Sequence, residues 1–300
     1  MFEYASNRLA LQFLADRPGV LAVITETIGT SYRTVGTMMA FAEDGRRFGS
    51  LSSGCIEDDI GEHARACLGT GCVKPLRYGT GSPFFDLKLP CGGGLSILLI
   101  PRPDPAVLAQ VLDLGKKRQT AILSVGLVDG SLILVPEAVP QPDRLAVVLD
   151  SELRFWVFGH GVEAMSFALM TNAAGYDVTL FGQHSLQADL SRIGTLRVEN
   201  VTSFRSFVCP RPDNRTAVTL FFHDHETEAG ILSQFLTSAA FYIGAQGSLR
   251  ARQRLLGELA ALGLDAPTIA RLRPDFGLIP SCRDPRTLAV SVMAHVLSVA

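Results

Sequence analysis

The stretch from Phe155 to Gly182 constrains the chain more than any other, because it admits few readings besides strand, glycine turn, helix, strand. Phe155-Trp156-Val157-Phe158 is a short apolar run with strand preference, ended at once by Gly159. Gly159-His160-Gly161-Val162-Glu163-Ala164 follows as G-x-G-x-x-A, in which the first glycine permits a tight turn and the second lets a ligand approach the backbone. Ala164 is small enough for close contact between helix and strand. Val162, Met165, Ala168 and Leu169 recur at helical spacing, Gly175 stands at a helix stop, and Val178 to Phe181 resumes strand character. The pattern predicts half of a nucleotide-binding unit. A tight turn with nothing bound has the same signature, and the second strand runs into Gly182-Gln183-His184 with no acid to hold a ribose diol. A helix N-terminus contributes only ~0.3 to 2 kcal/mol toward an anion, whereas micromolar affinity needs about 8 kcal/mol. Most of any ligand's binding must come from elsewhere.

Three hundred residues suit two domains, and 47% hydrophobic with 19% charged residues is a composition able to build cores. A net charge of -2 without a basic run gives no general attraction to nucleic acid or to an anionic membrane surface. The start, Met1-Phe2-Glu3-Tyr4, lacks a leader pattern, and no apolar run approaches the ~20 residues that span a bilayer, so a cytoplasmic location is expected. Cysteines at 55, 67, 72, 91, 209 and 282 are scattered, without C-x-x-C pairs, and are expected to be reduced. Of these, Cys55 and Cys91 stand in glycine-rich surroundings.

The first half predicts a helix over Phe2 to Ala15, a strand from Val20 to Ile24, and a hairpin in which Met38 to Ala42 meets Arg47-Phe48 through a type I′ turn at Asp44-Gly45. Three unusual loops stand out. Gly29 to Gly36 is polar and carries one cation, Arg33. Gly49 to Asp59 places small residues and hydroxyls before a helix reaching Cys67, an arrangement suited to an anion or to close backbone approach. Glu57, Asp58 and Asp59 in its first turn read as helix-dipole partners, with metal ligation as the other possibility. Pro90-Cys91-Gly92-Gly93-Gly94, between strands at Val73 to Tyr78 and Leu95 to Ile100, exposes a cysteine to backbone-lined space, or is simply a tight bend. A helix from Asp104 to Lys116 and strands at Thr120 to Val125 and Leu132 to Val135 close the domain. Pro136, Pro140 and Pro142 mark a linker, which gives domains 1-138 and 139-300.

In the second half Thr216 to Phe222 reads as a buried strand with His223-Asp224-His225-Glu226 at its carboxyl end, where ligands of an open parallel sheet sit. Phe241-Tyr242-Ile243 is a further strand, stopped by Gly244-Ala245-Gln246-Gly247-Ser248, a second glycine loop entering a helix. Asp284-Pro285 starts a last amphipathic helix to Val299.

Taken together, Gly29-Thr30-Ser31-Tyr32-Arg33 with Gly36 and Met38, Gly49-Ser50 through Gly54-Cys55-Ile56-Glu57, and Cys91-Gly92-Gly93 resemble the loops of the XdhC/CoxI family. So do Phe158-Gly159 with Gly161, His223-Asp224-His225, Tyr242-Ile243-Gly244 through Gly247-Ser248, Gly277-Leu278, and Ala289 with Ser291. Members of that family are accessory proteins of molybdenum hydroxylases such as xanthine dehydrogenase. The resemblance implies an α/β protein, a mixed α/β XdhC/CoxI domain followed by a Rossmann-like, doubly wound parallel sheet. It implies a non-catalytic chaperone that binds molybdenum cofactor (molybdopterin, or its dinucleotide form), shelters it during sulfuration and inserts it into the apo-hydroxylase. Implied partners are that hydroxylase, a cysteine desulfurase or sulfurtransferase, and a second copy of the chain.

On that reading Cys91, and secondarily Cys55, faces the molybdenum or its dithiolene. Arg33, Ser50 and Ser52 hold anionic groups, with Gly54, Glu57, Gly92 and Gly93 around them. Gly159, Gly161, His223, Gly244, Gly247 and Ser248 line a phosphate crevice. This chain departs from the family pattern at Tyr32, Ser53, Val162, Gly182-Gln183 and Ile279 to Cys282. Two rival readings remain: an NAD(P)-dependent oxidoreductase, resting on the G-x-G-x-x-A turn alone, and a scaffold that docks the hydroxylase and the sulfurtransferase.

Overall fold

A computed structural model describes residues 6–52, 54, 56–80, 82, 92–182, 196–222 and 227–300. The chain divides into two compact units, Met1–Ser151 and Glu152–Ala300.

The first unit is built on period-2 alternation. Strand β1 (Gly19–Ile28) runs antiparallel between β2 (Met38–Ala42) and β5 (Gly94–Pro101), and β3 (Arg47–Phe48) and β4 (Lys74–Gly79) complete the order β3-β2-β1-β5-β4. Successive strand side chains face opposite ways. Val20, Ala22 and Ile24 therefore pack with Ile60, Ala64 and Leu68 of α2 (Glu57–Thr70), while Leu21 and Val23 pack with α1 (Asn7–Ala15) and α3 (Pro105–Lys116) through Leu11, Leu14, Leu108 and Val111. A three-stranded sheet of β6 (Ala121–Gly126), β7 (Leu132–Val135) and β8 (Arg144–Leu149), in the order β7-β6-β8, adds Leu123, Val125, Val147 and Leu149 to the second of these cores. Buried Arg8 ties the layers, donating to the carbonyls of Val111, Gln119, Leu149 and Asp150.

Two expectations are corrected here. Strand β8 (Arg144–Leu149) pairs antiparallel with β6 (Ala121–Gly126), beside β7 (Leu132–Val135), so the prolines after Val135 connect two strands of one sheet. The units consequently divide at Ser151/Glu152 instead of 138/139. In the β2–β3 hairpin only Gly45 is left-handed (φ 85°), and its N–H bonds back to Ala42 O at 3.1 Å. A type I′ turn needs both central residues left-handed, so this is a longer connection closed by one glycine.

The second unit is a parallel sheet of β9 (Arg154–Gly159), β10 (Asp177–Gly182), β11 (Arg197–Asn200), β12 (Thr216–Phe221) and β13 (Tyr242–Ala245), in the order β11-β10-β9-β12-β13. All its pairings are parallel. Such strands are covered on both faces, which is why they read as continuous apolar runs. On one face Phe155, Val157 and Phe221 meet Phe167 and Ala168 of α4 (Val162–Ala173) and Leu288 and Val292 of α8 (Pro285–Leu297). On the other, Trp156, Phe158 and Val218 meet Ile231 and Phe235 of α5 (Glu228–Leu236) and Leu255 and Leu259 of α6 (Leu249–Ala261). A one-turn helix, α7 (Ala266–Ile269), follows α6. The strand order reverses between β9 and β12, as it does at the ligand crevice of doubly wound folds. Gly244 lies inside β13 instead of ending it. A Cβ there would come within 2.9 Å of both Tyr242 and Phe276, so its bareness serves packing.

Candidate functional site

Antiparallel pairing decides where the three loops of the first unit fall. The carboxyl ends of β1, β3 and β4 and the amino ends of β2 and β5 share one end of the sheet, and α2 starts there. Arg33, Ser50, Ser52, Gly54, Glu57, Gly92 and Gly93, far apart in sequence, are thereby collected at that end. Gly93 is the joint. A Cβ on it would sit 2.4 Å from Thr30 O and 2.7 Å from Ile28 O, and its own carbonyl accepts from Thr80 N–H at 3.2 Å. Only glycine lets these backbones come so close.

Ser50, Leu51, Ser52, Gly54 and Ile56 gather around Glu57. This carboxylate, 3% exposed, accepts from Ser50 Oγ (3.0 Å), Leu51 N (3.0 Å), Ser52 N (2.8 Å), Ser52 Oγ (2.6 Å), Gly54 N (2.9 Å) and Ile56 N (3.2 Å). Burial alone would raise its pKa, but hydrogen bonds from Ser52, Ser50 and Ile56 outweigh it and hold the group at about 2. The expectation that Ser50 and Ser52 grip a ligand's anion is corrected accordingly: the anion they grip is Glu57. The neighbouring acids also have protein partners. Asp58 pairs with Arg47 at 2.6 Å, and Asp59 accepts from buried Tyr78 Oη at 2.5 Å and lies 3.6 Å from His63 Nε2. His63 Nδ1 in turn meets Lys74 Nζ at 2.9 Å. Burial foremost, with Asp59, pushes the Tyr78 phenol far above its usual range. Among the described residues no cluster of three or more potential metal ligands occurs.

Arg33 differs. Ser31 Oγ pins its backbone, donating to Arg33 O (2.8 Å) and accepting from Arg33 N (3.3 Å), yet its Nε is buried without a hydrogen-bond partner. Cys55 and Cys91 lie outside the described residues, although Gly54, Ile56 and Gly92 beside them belong to the same loops. A groove of about 700 Å³ runs along α2 beside the β2–β3 hairpin, lined by Phe41, Glu43, Arg47, Asp58, Arg65 and Arg102 among others. It contains none of the expected site residues.

In the second unit Gly159 (φ 141°) brings β9 against β12, where a Cβ would meet Phe221 O at 2.3 Å. Gly161 (φ 93°) is the N-cap of α4 without a side-chain cap, and a Cβ on it would meet only Glu163 Oε2, at 3.5 Å. The first glycine is thus held by packing, and the second leaves the helix N-terminus open. Gly247 is similarly open, while Ser248 Oγ is engaged as the N-cap of α6, accepting from Ala251 N at 3.2 Å. All four positions lie at the carboxyl edge of the sheet. His223 to Glu226, and Gln183-His184 after β10, are outside the described residues.

Sequence reasoning missed Tyr78, the carbonyls of Ile28 and Thr30, and the role of Glu57. The one available signal was the pair of serines upstream of Glu57, an acceptor-seeking pattern akin to a capping box.

Fold and loops together define a protein of two α/β units, the second of Rossmann type. Residues 13–79 match the family model described as the XdhC and CoxI family, and residues 155–296 match that of the XdhC Rossmann domain. The chain is 32% identical over 296 residues to the molybdenum cofactor insertion chaperone PaoD of Escherichia coli, covering 97% of this chain and 87% of PaoD. It is 23% identical to a Bacillus subtilis protein named as a probable xanthine dehydrogenase subunit, covering 93% and 92%. A crystal structure of a Bacillus halodurans protein titled a xanthine dehydrogenase superposes with TM-score 0.80 at 22% identity, over 98% of this chain and 95% of that one, and shows the same fold. This chain belongs to the XdhC and CoxI family.

Proposed function

We propose that this protein is a molybdenum cofactor chaperone, which holds the cofactor while its sulfido ligand is installed and delivers it to an apo-hydroxylase of the xanthine dehydrogenase type. The observation that carries the reading is the match to PaoD across nearly the whole chain. The residues present suit such a group. Arg33 offers a buried donor without an acceptor, and Gly161 leaves a helix N-terminus uncovered. Bound cofactor would supply the molybdenum centre that the client enzyme uses. This chain's part is to orient the group and keep water from it, with Arg33, Gly92, Gly93 and Cys91 as the proposed contacts in the first unit and Gly161, Gly247 and Ser248 as separate proposed contacts in the second.

No turnover by the chain itself is part of the proposal. A sulfurtransferase and a second copy of the chain are its proposed partners, in the cytoplasm. Among the described residues no helix is long and apolar enough to cross a membrane. Protein isolated from a cofactor-making host and oxidised should release fluorescent pterin in near-stoichiometric amount. Folded, reduced protein that carries none and retains none on a desalting column would sink the reading. Cys91→Ala should lower retention, and equal retention removes Cys91 from the site.

A further inference from the structure

The Gly29–Gly36 loop is tied down at both ends and carries a cation that the described residues do not neutralise. Its start lies against Gly93. Its end is fixed by Gly36 N–H to Ile24 O (2.8 Å), by Asn7 Nδ2 to Gly36 O (2.9 Å), and by Met38 N–H to Asn7 Oδ1 (2.8 Å). Between them Ser31 clamps the Arg33 backbone. The Arg33 side chain is half-buried, with its Nε shielded from water and unpartnered. Two other arginines of this unit that are withdrawn from solvent are satisfied: Arg8 by four carbonyls, and Arg144 by Ser124 and Ser131. The acids of the same sheet end are engaged, Glu57 by its own turn and Glu26 by Ser96 and Arg77. Buried charged donors without acceptors are rare in folded proteins, because desolvation of the donor goes uncompensated.

We propose that Arg33 is the oxyanion anchor of the first unit and that its ligand is a phosphate group. Two N–H groups of the guanidinium fork meet two oxygens of a tetrahedral anion at once. With the serines of the neighbouring turn committed to Glu57, Arg33 is the group left to supply charge there. Identifying that phosphate as the one on the pterin rests on the proposed function; the anion site itself does not.

The test uses the full chain without cofactor, titrated with inorganic phosphate and followed by calorimetry, for wild type, Arg33→Lys and Arg33→Gln. Saturable binding is expected for wild type, about ten- to hundredfold weaker for Arg33→Gln, with Arg33→Lys between them because a point charge lacks the fork. Acetate at equal ionic strength should compete poorly. Thermal unfolding of unliganded Arg33→Gln should match or exceed wild type, since an unpaired cation is removed. The proposal is overturned if wild type does not saturate, if Arg33→Gln binds phosphate as wild type does, if acetate competes equally, or if Arg33→Gln is destabilised, which would reveal a structural partner. Cofactor retention separates the two readings. Phosphate binding lost in Arg33→Gln with pterin retained keeps the anion site and rejects its assignment to pterin. A wild type that never retains pterin rejects the chaperone and leaves the phosphate result readable.

Discussion

Glu57→Gln removes a charge from the centre of the Ser50–Ile56 turn while keeping the side chain's shape. A carboxyl that titrates at about 2 in the folded chain, against 4.5 unperturbed, contributes about 3 kcal/mol of stability where both states are ionised. Because the folded value is depressed, this stability is full above pH 4.5 and is lost as pH falls from there toward 2. The glutamine also turns an amide donor toward amide and hydroxyl donors, so it does not restore what the charge supplied. At roughly 2–4 °C per kcal/mol for a unit of this size, the first unit of Glu57→Gln should melt about 6–12 °C below wild type at pH 7. That gap should narrow steadily below pH 4.5, because wild type loses the contribution and the variant has none to lose. Calorimetry across pH, with hydrogen exchange of the Leu51, Ser52, Gly54 and Ile56 amides, reads both effects. Equal melting at pH 7 with those amides still protected, or a gap independent of pH, would refute the view that this carboxylate organises the turn.

The two glycines of the Rossmann turn should respond unequally. Gly159→Ala drives a Cβ to 2.3 Å from Phe221 O and should cost the second unit about 3 kcal/mol or more, whereas Gly161→Ala meets open space and should cost about 1–2 kcal/mol for its backbone conformation. Urea midpoints in the reverse order would contradict the packing argument. Tyr78→Phe deletes the donor to Asp59 beneath the loop end and should lower stability by about 1.5–3 kcal/mol, with an unchanged midpoint as the refuting result. Equilibrium dialysis with NAD or NADP should show no saturable binding, and saturation at micromolar concentration would favour the oxidoreductase reading.

Much of the second unit was legible in the sequence because parallel strands covered on both faces write themselves as unbroken apolar runs. Phe155 to Phe158, Val178 to Phe181 and Thr216 to Phe221 all became strands of one sheet, and the Asp-Pro start of the last helix became a cap in which Asp284 accepts from Thr287 N at 3.2 Å. What stayed hidden depended on partners distant in sequence. Nothing local to Arg144–Leu149 says that it pairs with Ala121–Gly126, so three prolines looked like a domain linker. Gly244 stands beside other glycines, and only the rings of Tyr242 and Phe276 show that it belongs to a strand. Ser50 and Ser52 have the residue types of an anion site, and the anion they hold stands a few positions further along the same chain. Collection of three loops at one sheet end followed from antiparallel order, which residue types do not encode.

A turn that carries its own counter-charge does not wait for cargo to take shape. Above about pH 4.5 the backbone of Ser50 to Ser52, Gly54 and Ile56 should be the same in an empty molecule and a laden one, and indifferent to the salt that screens exposed charges. Whatever docks beside it meets a wall already set, and spends none of its affinity on ordering that segment.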